Sequence, residues 1–137
     1  MPMKYFLPII VSLHFLVSSA NATDIKVGSY LNCTSSQAMR VTASTDRFYK
    51  EANQNFMIRV GRDNIEFSSS SGSYVSGMNI IKRYHQPHLV SGYSDTTSLS
   101  IERKGSTLQR KGGKFRFYFS STHFSSIFTM FGNCDLM

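Results

Sequence analysis

Between Lys114 and Phe119 the chain changes character at every residue: Phe115, Phe117 and Phe119 alternate with Lys114, Arg116 and Tyr118. A period of two belongs to an extended strand, whose successive side chains leave opposite faces. One face here is aromatic and the other basic and polar. A second aromatic-rich run follows and ends in Gly132-Asn133-Cys134. The only other cysteine, Cys33, stands near the opposite end of the chain. Pairing of Cys33 with Cys134 would tie the last strand to the first and turn everything between them into a closed sheet. Neither cysteine has a C-x-x-C partner or a neighbouring histidine to activate a thiolate, so a structural bridge is expected rather than a nucleophile. Closing a loop of about 100 residues is worth roughly 4–5 kcal/mol in the chain-entropy picture.

The first 22 residues have the three parts of a signal peptide. Lys4 supplies the charge, Tyr5 to Val17 the apolar stretch, and Ser18 to Ala22 a small-residue end of the form A-x-A. Cleavage after Ala22 leaves residues 23–137 as a single β domain, secreted or periplasmic, without a transmembrane span. The apolar stretch falls short of the roughly 20 residues that a spanning helix needs. Loss of Lys4 lowers the net charge from +7 to +6. That surplus serves solubility, and it also suits an anionic envelope component or an acidic protein as partner. The compartment argues against nucleic acid, and a monomer is expected.

Strand signals recur along the chain. Ile25 to Cys33 reads as a first strand, Thr34 to Gln37 as a turn, and Ala38 to Thr45 as a second strand with Met39, Val41 and Ala43 set against Arg40, Thr42 and Ser44. Asp46 to Asn55 fits a helical turn with Asp46 at its N-cap or a short strand (Arg47 to Lys50) and a turn, and the second is favoured because the stretch is short and lacks a second apolar position at helical spacing. Phe56, Ile58 and Val60, then Ile65 and Phe67, flank a Gly61–Asn64 turn and form the clearest hairpin. A serine-rich loop covers Ser68 to Ser73. Tyr74 to Tyr84 is extended and ends before Gln86-Pro87. Leu89 is the inward residue expected of His88–Tyr93, Leu99 and Ile101 alternate next, and Thr107 to Gln109 is short. About eight to ten short strands without a long amphipathic helix define an all-β class: a small antiparallel β-barrel or sandwich. An outer-membrane barrel would need longer lipid-facing strands, about ten residues each.

Few residues are arranged for chemistry. His85 and His88 lack further ligands for a metal site. His123 among Ser120, Ser121, Thr122 and Ser125 has no acid at a recognisable spacing and no G-x-S-x-G segment. No pair of carboxylates stands out for glycoside hydrolysis, and no glycine loop opens a helix to hold phosphate. No metal, cofactor or catalytic residue is therefore expected. The basic residues cluster in the second half: Lys82, Arg83, Arg103, Lys104, Arg110, Lys111, Lys114 and Arg116. They form a candidate patch for an anionic partner, and equally a set of charges that protect sheet edges. Eleven phenylalanines and no tryptophan point to an aromatic interior, packed solid or lining a ligand cavity.

The Tyr30-x-x-Cys33 start and the Gly132-x-Cys134 end resemble the small periplasmic β-proteins of Gram-negative bacteria in which an early and a late cysteine pair. Among these, the c-type lysozyme inhibitors carry an S-x-S-G-x-x-Y loop that enters the lysozyme cleft. Ser69-Ser70-Ser71-Gly72-Ser73-Tyr74 is similar, with its tyrosine one residue early, no tryptophan-lysine-glycine segment after it and a longer tail beyond Tyr84. The resemblance implies a secreted inhibitor-like binding domain. The functional expectation is a non-catalytic binding or interaction domain. The alternatives are a carrier of a small apolar ligand in a Phe-lined barrel, and a hydrolase or lysozyme-inhibitor-like protein.

Overall fold

The computed structural model describes residues 24–45, 47–69, 75, 77–104, 114–123 and 125–137. The expected signal peptide, most of the serine-rich loop with Tyr74, the Thr107–Gln109 segment, and Arg110 and Lys111 lie outside the described residues. The described chain forms nine strands: β1 (Tyr30–Thr42), β2 (Arg47–Lys50), β3 (Asn55–Val60), β4 (Asn64–Ser69), β5 (Asn79–Gln86), β6 (Leu89–Tyr93), β7 (Thr97–Arg103), β8 (Lys114–His123) and β9 (Ser126–Leu136). All neighbours are antiparallel. From β3 to β9 each strand pairs with the next, and β9 returns to β1, which also pairs with β3. The result is a closed eight-stranded barrel rather than a sandwich. Cys33 and Cys134 are directly opposed on β1 and β9, with Cα atoms 4.0 Å apart, and are bridged.

β1 is longer than the sequence pattern suggests. The expected turn at Thr34–Gln37 is not a turn. The strand runs straight through it and absorbs one extra residue, Ser36, as a bulge between the Ser35–Gly132 and Gln37–Phe131 pairs. The other edge of β1 is interrupted at the same level. β3 pairs with its first half and β2 with its second, with residues 51–54 as the step between them. Ser35 fastens this step: its N–H donates to the Gln54 carbonyl at 2.9 Å, and its buried Oγ accepts from the Gln54 N–H at 2.7 Å. Gly132 lies opposite because nothing larger fits. A Cβ there would run into the Thr34 carbonyl, Ser35 Cα at 2.6 Å and the Phe117 ring at 2.9 Å.

A one-residue bulge reverses the facing of everything beyond it. Leu31, Cys33 and Ser35 point inward, and after Ser36 it is Ala38 that is buried. Arg40 then falls on the inner face, and Met39 and Val41 on the outer one. The second expected strand therefore presents its apolar residues outward. Two other expectations shift. Val27 is exposed, because residues 26–29 turn (Gly28 has φ +92°) before β1 begins. In β6 the inward residues are Val90 and Gly92, not Leu89. Gly92 leaves no room for a side chain beside Ile65 and Ile80, so an inward position there carries no apolar signal.

Five phenylalanine rings run through the barrel in contact: Phe117 to Phe56 (5.1 Å between centroids), Phe56 to Phe67 (6.0 Å), Phe67 to Phe119 (5.8 Å) and Phe119 to Phe128 (6.2 Å). Leu31, Ile58, Val60, Ile65, Ile80, Val90, Ile101 and Phe115 fill the space around them. The apolar face is thus the inner one, the reverse of a barrel whose apolar band meets lipid. Gly132→Ala is expected to lower stability by about 1–3 kcal/mol through overpacking at the bulge. This would be read as a lower urea midpoint at unchanged slope; an unchanged midpoint would show that the strands can part there at no cost.

Candidate functional site: the open mouth of the barrel

The two ends of the barrel differ. One end is plugged by the segment that precedes β1. Ile25 is buried there, its N–H bonded to the Pro87 carbonyl at 2.9 Å. Its own carbonyl lies 3.0 Å from His85 Nε2. His85 Nδ1 faces the Lys82 ammonium at 3.1 Å, and Lys82 also donates to the Gly61 carbonyl at 2.6 Å. An ammonium can only donate, so Nδ1 accepts and Nε2–H is the donor to Ile25. Beside it Arg103, its side chain only 12% exposed, donates to Asp24 at 2.6 Å and to the Pro87 carbonyl at 3.3 Å, with its guanidinium 5.6 Å from the Phe115 ring centre.

This end gathers the described part of the basic set, in unequal roles. Lys82 and Arg103 face into the plug. Arg83 is the extra residue of a β5 bulge and lies over the Tyr93 ring at 4.5 Å. Lys114 pairs with Asp135 at 3.4 Å on the exposed surface. Lys104 and Arg116 border a hollow of about 240 Å³ on the outer wall, next to Ser36, Tyr118, Phe131 and Asn133. Of the two histidines of the H-Q-P-H segment, His85 orients the plug and His88 offers its carbonyl to the Arg103 N–H. No cluster of three metal-ligating side chains occurs among the described residues.

Among the described residues, the opposite end is open. It holds a cavity of about 490 Å³ lined by Met78, Phe119 and Phe128, by the hydroxyl residues Ser94, Thr96, Thr97, Ser121 and Ser126, and by Arg40 and His123. The register explains the set. Arg40 is opposite Phe128, Phe128 opposite Ser121, and Ser121 opposite Thr97, which places four inward residues of β1, β9, β8 and β7 in one row. Ser121 and Thr97 share a hydrogen bond at 3.0 Å. His123 and Ser126 are opposed one step higher, at the top of the β8–β9 hairpin. Phe119 and Phe128, the last rings of the aromatic column, form an apolar floor. The aromatic column is packed up to this level, and its last rings face the cavity.

Arg40 stands at the cavity wall. Its Nη2 is 2.9 Å from Glu51 Oε1, and its guanidinium carbon lies 5.8 Å from the Tyr49 ring centre. Its Nε is buried without a hydrogen-bond partner among the described residues. Arg40 had no distinguishing mark in the linear chain, since only the bulge at Ser36 turns it inward. His123 was visible beside its serines, and the fold does bring it to Ser126. No carboxylate is among the described residues lining the cavity. Comparison with protein-family models, curated proteins and solved structures found no match.

The contrast between the two kinds of basic residue can be measured. Arg103→Met is expected to cost about 1–3 kcal/mol, because the Pro87 carbonyl and Asp24 lose a charged donor inside the plug. Lys114→Met should change stability by no more than about 0.5 kcal/mol, since its pair is exposed. Equal urea midpoints for the two variants would show that the plug does not depend on Arg103.

Proposed function

We propose that the mature domain is a secreted or periplasmic binding protein that receives a small amphiphile in the open mouth of its barrel. The observation that carries this reading is the 490 Å³ cavity, within the usual range of ligand pockets, with an apolar floor beneath a ring of hydroxyls and one arginine. The apolar part of the ligand rests on Phe119, Phe128 and Met78. Its head carries acceptors, and a negative charge, towards Arg40. Arg40 lines the cavity wall and is the charged donor available to that head. The Cys33–Cys134 bridge supports an oxidising compartment. The packed aromatic column makes the rest of the barrel a support for the site rather than a continuation of it.

Titration of the mature protein with a dansyl-labelled undecanoate tests this reading. Saturable binding is expected, with enhanced probe emission. Ser126→Phe, which fills the cavity from the top of β9, should abolish it. Arg40→Gln should weaken it by about tenfold or more, the value of a charge-assisted hydrogen bond. Absence of saturable binding by the parent protein, or undiminished binding by Ser126→Phe, would overturn the assignment.

A further inference from the structure

The apolar side chains of the mouth cavity are of a particular kind. They are Phe119, Phe128 and Met78, and no branched aliphatic side chain is among the described residues that line it. The isoleucines of the inner face belong to the packed core instead. Any hydrocarbon wall holds an alkyl chain, so a chain has no need of this selection. An aromatic ring does discriminate. It gains from edge-to-face or offset contact with other rings beyond the area it buries, and a thioether sulfur adds a favourable contact at a ring edge. Phe119 already meets Phe67 at 5.8 Å and Phe128 at 6.2 Å between centroids, with interplanar angles of 68° and 65°. A ring that enters from the mouth therefore meets two rings fixed in a geometry that favours a further one.

The register sets the depth of this apolar surface. Phe119 precedes Ser121 by two residues on β8; Ser121 is opposite Phe128, and Phe128 is opposite Arg40. Two residues of strand span about 7 Å, or roughly 5 Å along the barrel axis at the usual tilt. At the level of Arg40 the lining already turns to hydroxyls: Ser121 and Thr97 are tied to each other at 3.0 Å, and Ser126 stands one step higher. The apolar surface is thus about one ring deep below the guanidinium. A long chain would bury only a few of its carbons there and pass the rest across hydroxyls. A single ring buries all of itself, and a carboxylate on a short linker reaches the level of Arg40. Glu51 engages Arg40 Nη2 at 2.9 Å, but a guanidinium carries more N–H donors than one carboxylate uses.

We propose that the ligand of the mouth is an aromatic acid, with one aryl ring packed on Phe119, Phe128 and Met78 and a carboxylate on a short linker bound to Arg40. This ligand class rests on the cavity reading above and narrows it from amphiphiles in general. Phe119 is the residue that sets the preference for a ring. The dansyl probe does not make the distinction, since it carries both an aromatic group and a chain.

The test is a pair of NMR titrations of the mature domain, one with 3-phenylpropanoate and one with 3-cyclohexylpropanoate. The two share the carboxylate and the linker. The saturated ring has the larger apolar surface, so burial alone favours it. The phenyl acid is nevertheless expected to bind about threefold to tenfold tighter. Ser126→Phe should abolish binding of both. Phe119→Leu should bring the ratio of the two affinities to about one or below while the cyclohexyl acid still binds. A phenyl acid that binds the parent no better than the cyclohexyl acid, or does not bind, would overturn the proposal, and this comparison does not depend on the folding of either variant. Binding undiminished by Ser126→Phe, or a ratio unchanged in Phe119→Leu, would overturn it as well. Saturable binding of the dansyl probe that is lost in Ser126→Phe, beside a phenyl acid without advantage, would remove the aromatic class and leave the cavity reading standing. Absence of binding by the probe and by both acids would remove the two together.

Discussion

The pairing of β1 with β9 is the constraint on which the rest of this structure depends. It joins segments about 100 residues apart, so its formation carries the largest loop-closure cost in the fold. It also removes the two bare edges that a meander from β3 to β9 would otherwise leave exposed to other chains. The Cys33–Cys134 bridge makes that closure covalent, with both cysteines on the inner face against the aromatic column. β1 bears a further load, because β2 and β3 share its other edge. One thirteen-residue strand thus holds the barrel closed on one side and carries the step between two strands on the other.

The step and the bulge are one feature seen from two edges. Ser35 uses its backbone and hydroxyl to fasten Gln54, Ser36 is extruded, and Gly132 gives the space in which the strands meet. The consequence is a change of phase halfway along β1. Leu31 and Cys33 belong to the core, whereas Met39 and Val41, in the same odd-numbered series, lie outside. An arginine takes the inner face at the mouth. The inward turn of Arg40 at the cavity wall and the outward turn of Met39 and Val41 both follow from this one extra residue. A bulge next to a functional site is a common arrangement in β-proteins, since it re-aims side chains without breaking the sheet.

Much of the architecture was legible in the chain. Phe115, Phe117 and Phe119, then Phe56, Ile58 and Val60 with Ile65 and Phe67, and Leu99 with Ile101 all face inward as their alternation implies. Elsewhere the signal was missing or misleading. Thr34 to Gln37 has the composition of a turn, because hydroxyl residues suit turns and bulges alike. Gly92 faces inward without an apolar side chain to show it. The basic residues of the second half were visible as a group, but charge alone does not separate Arg103, bound to Asp24 and Pro87, from Lys114 in solvent.

The sequence by itself determined the all-β class, the inward aromatic face and the pairing of Cys33 with Cys134. These rest on local alternation, turn chemistry and the presence of only two cysteines, all of which act at short range or by simple count. Only the tertiary structure decided which end of the barrel is open, which arginine faces its cavity and which apolar residues are left on its rim. Those outcomes depend on strand register. Register is set by long-range pairing and by the space left opposite Gly132, and a one-residue bulge changes it without leaving a distinctive mark in the chain.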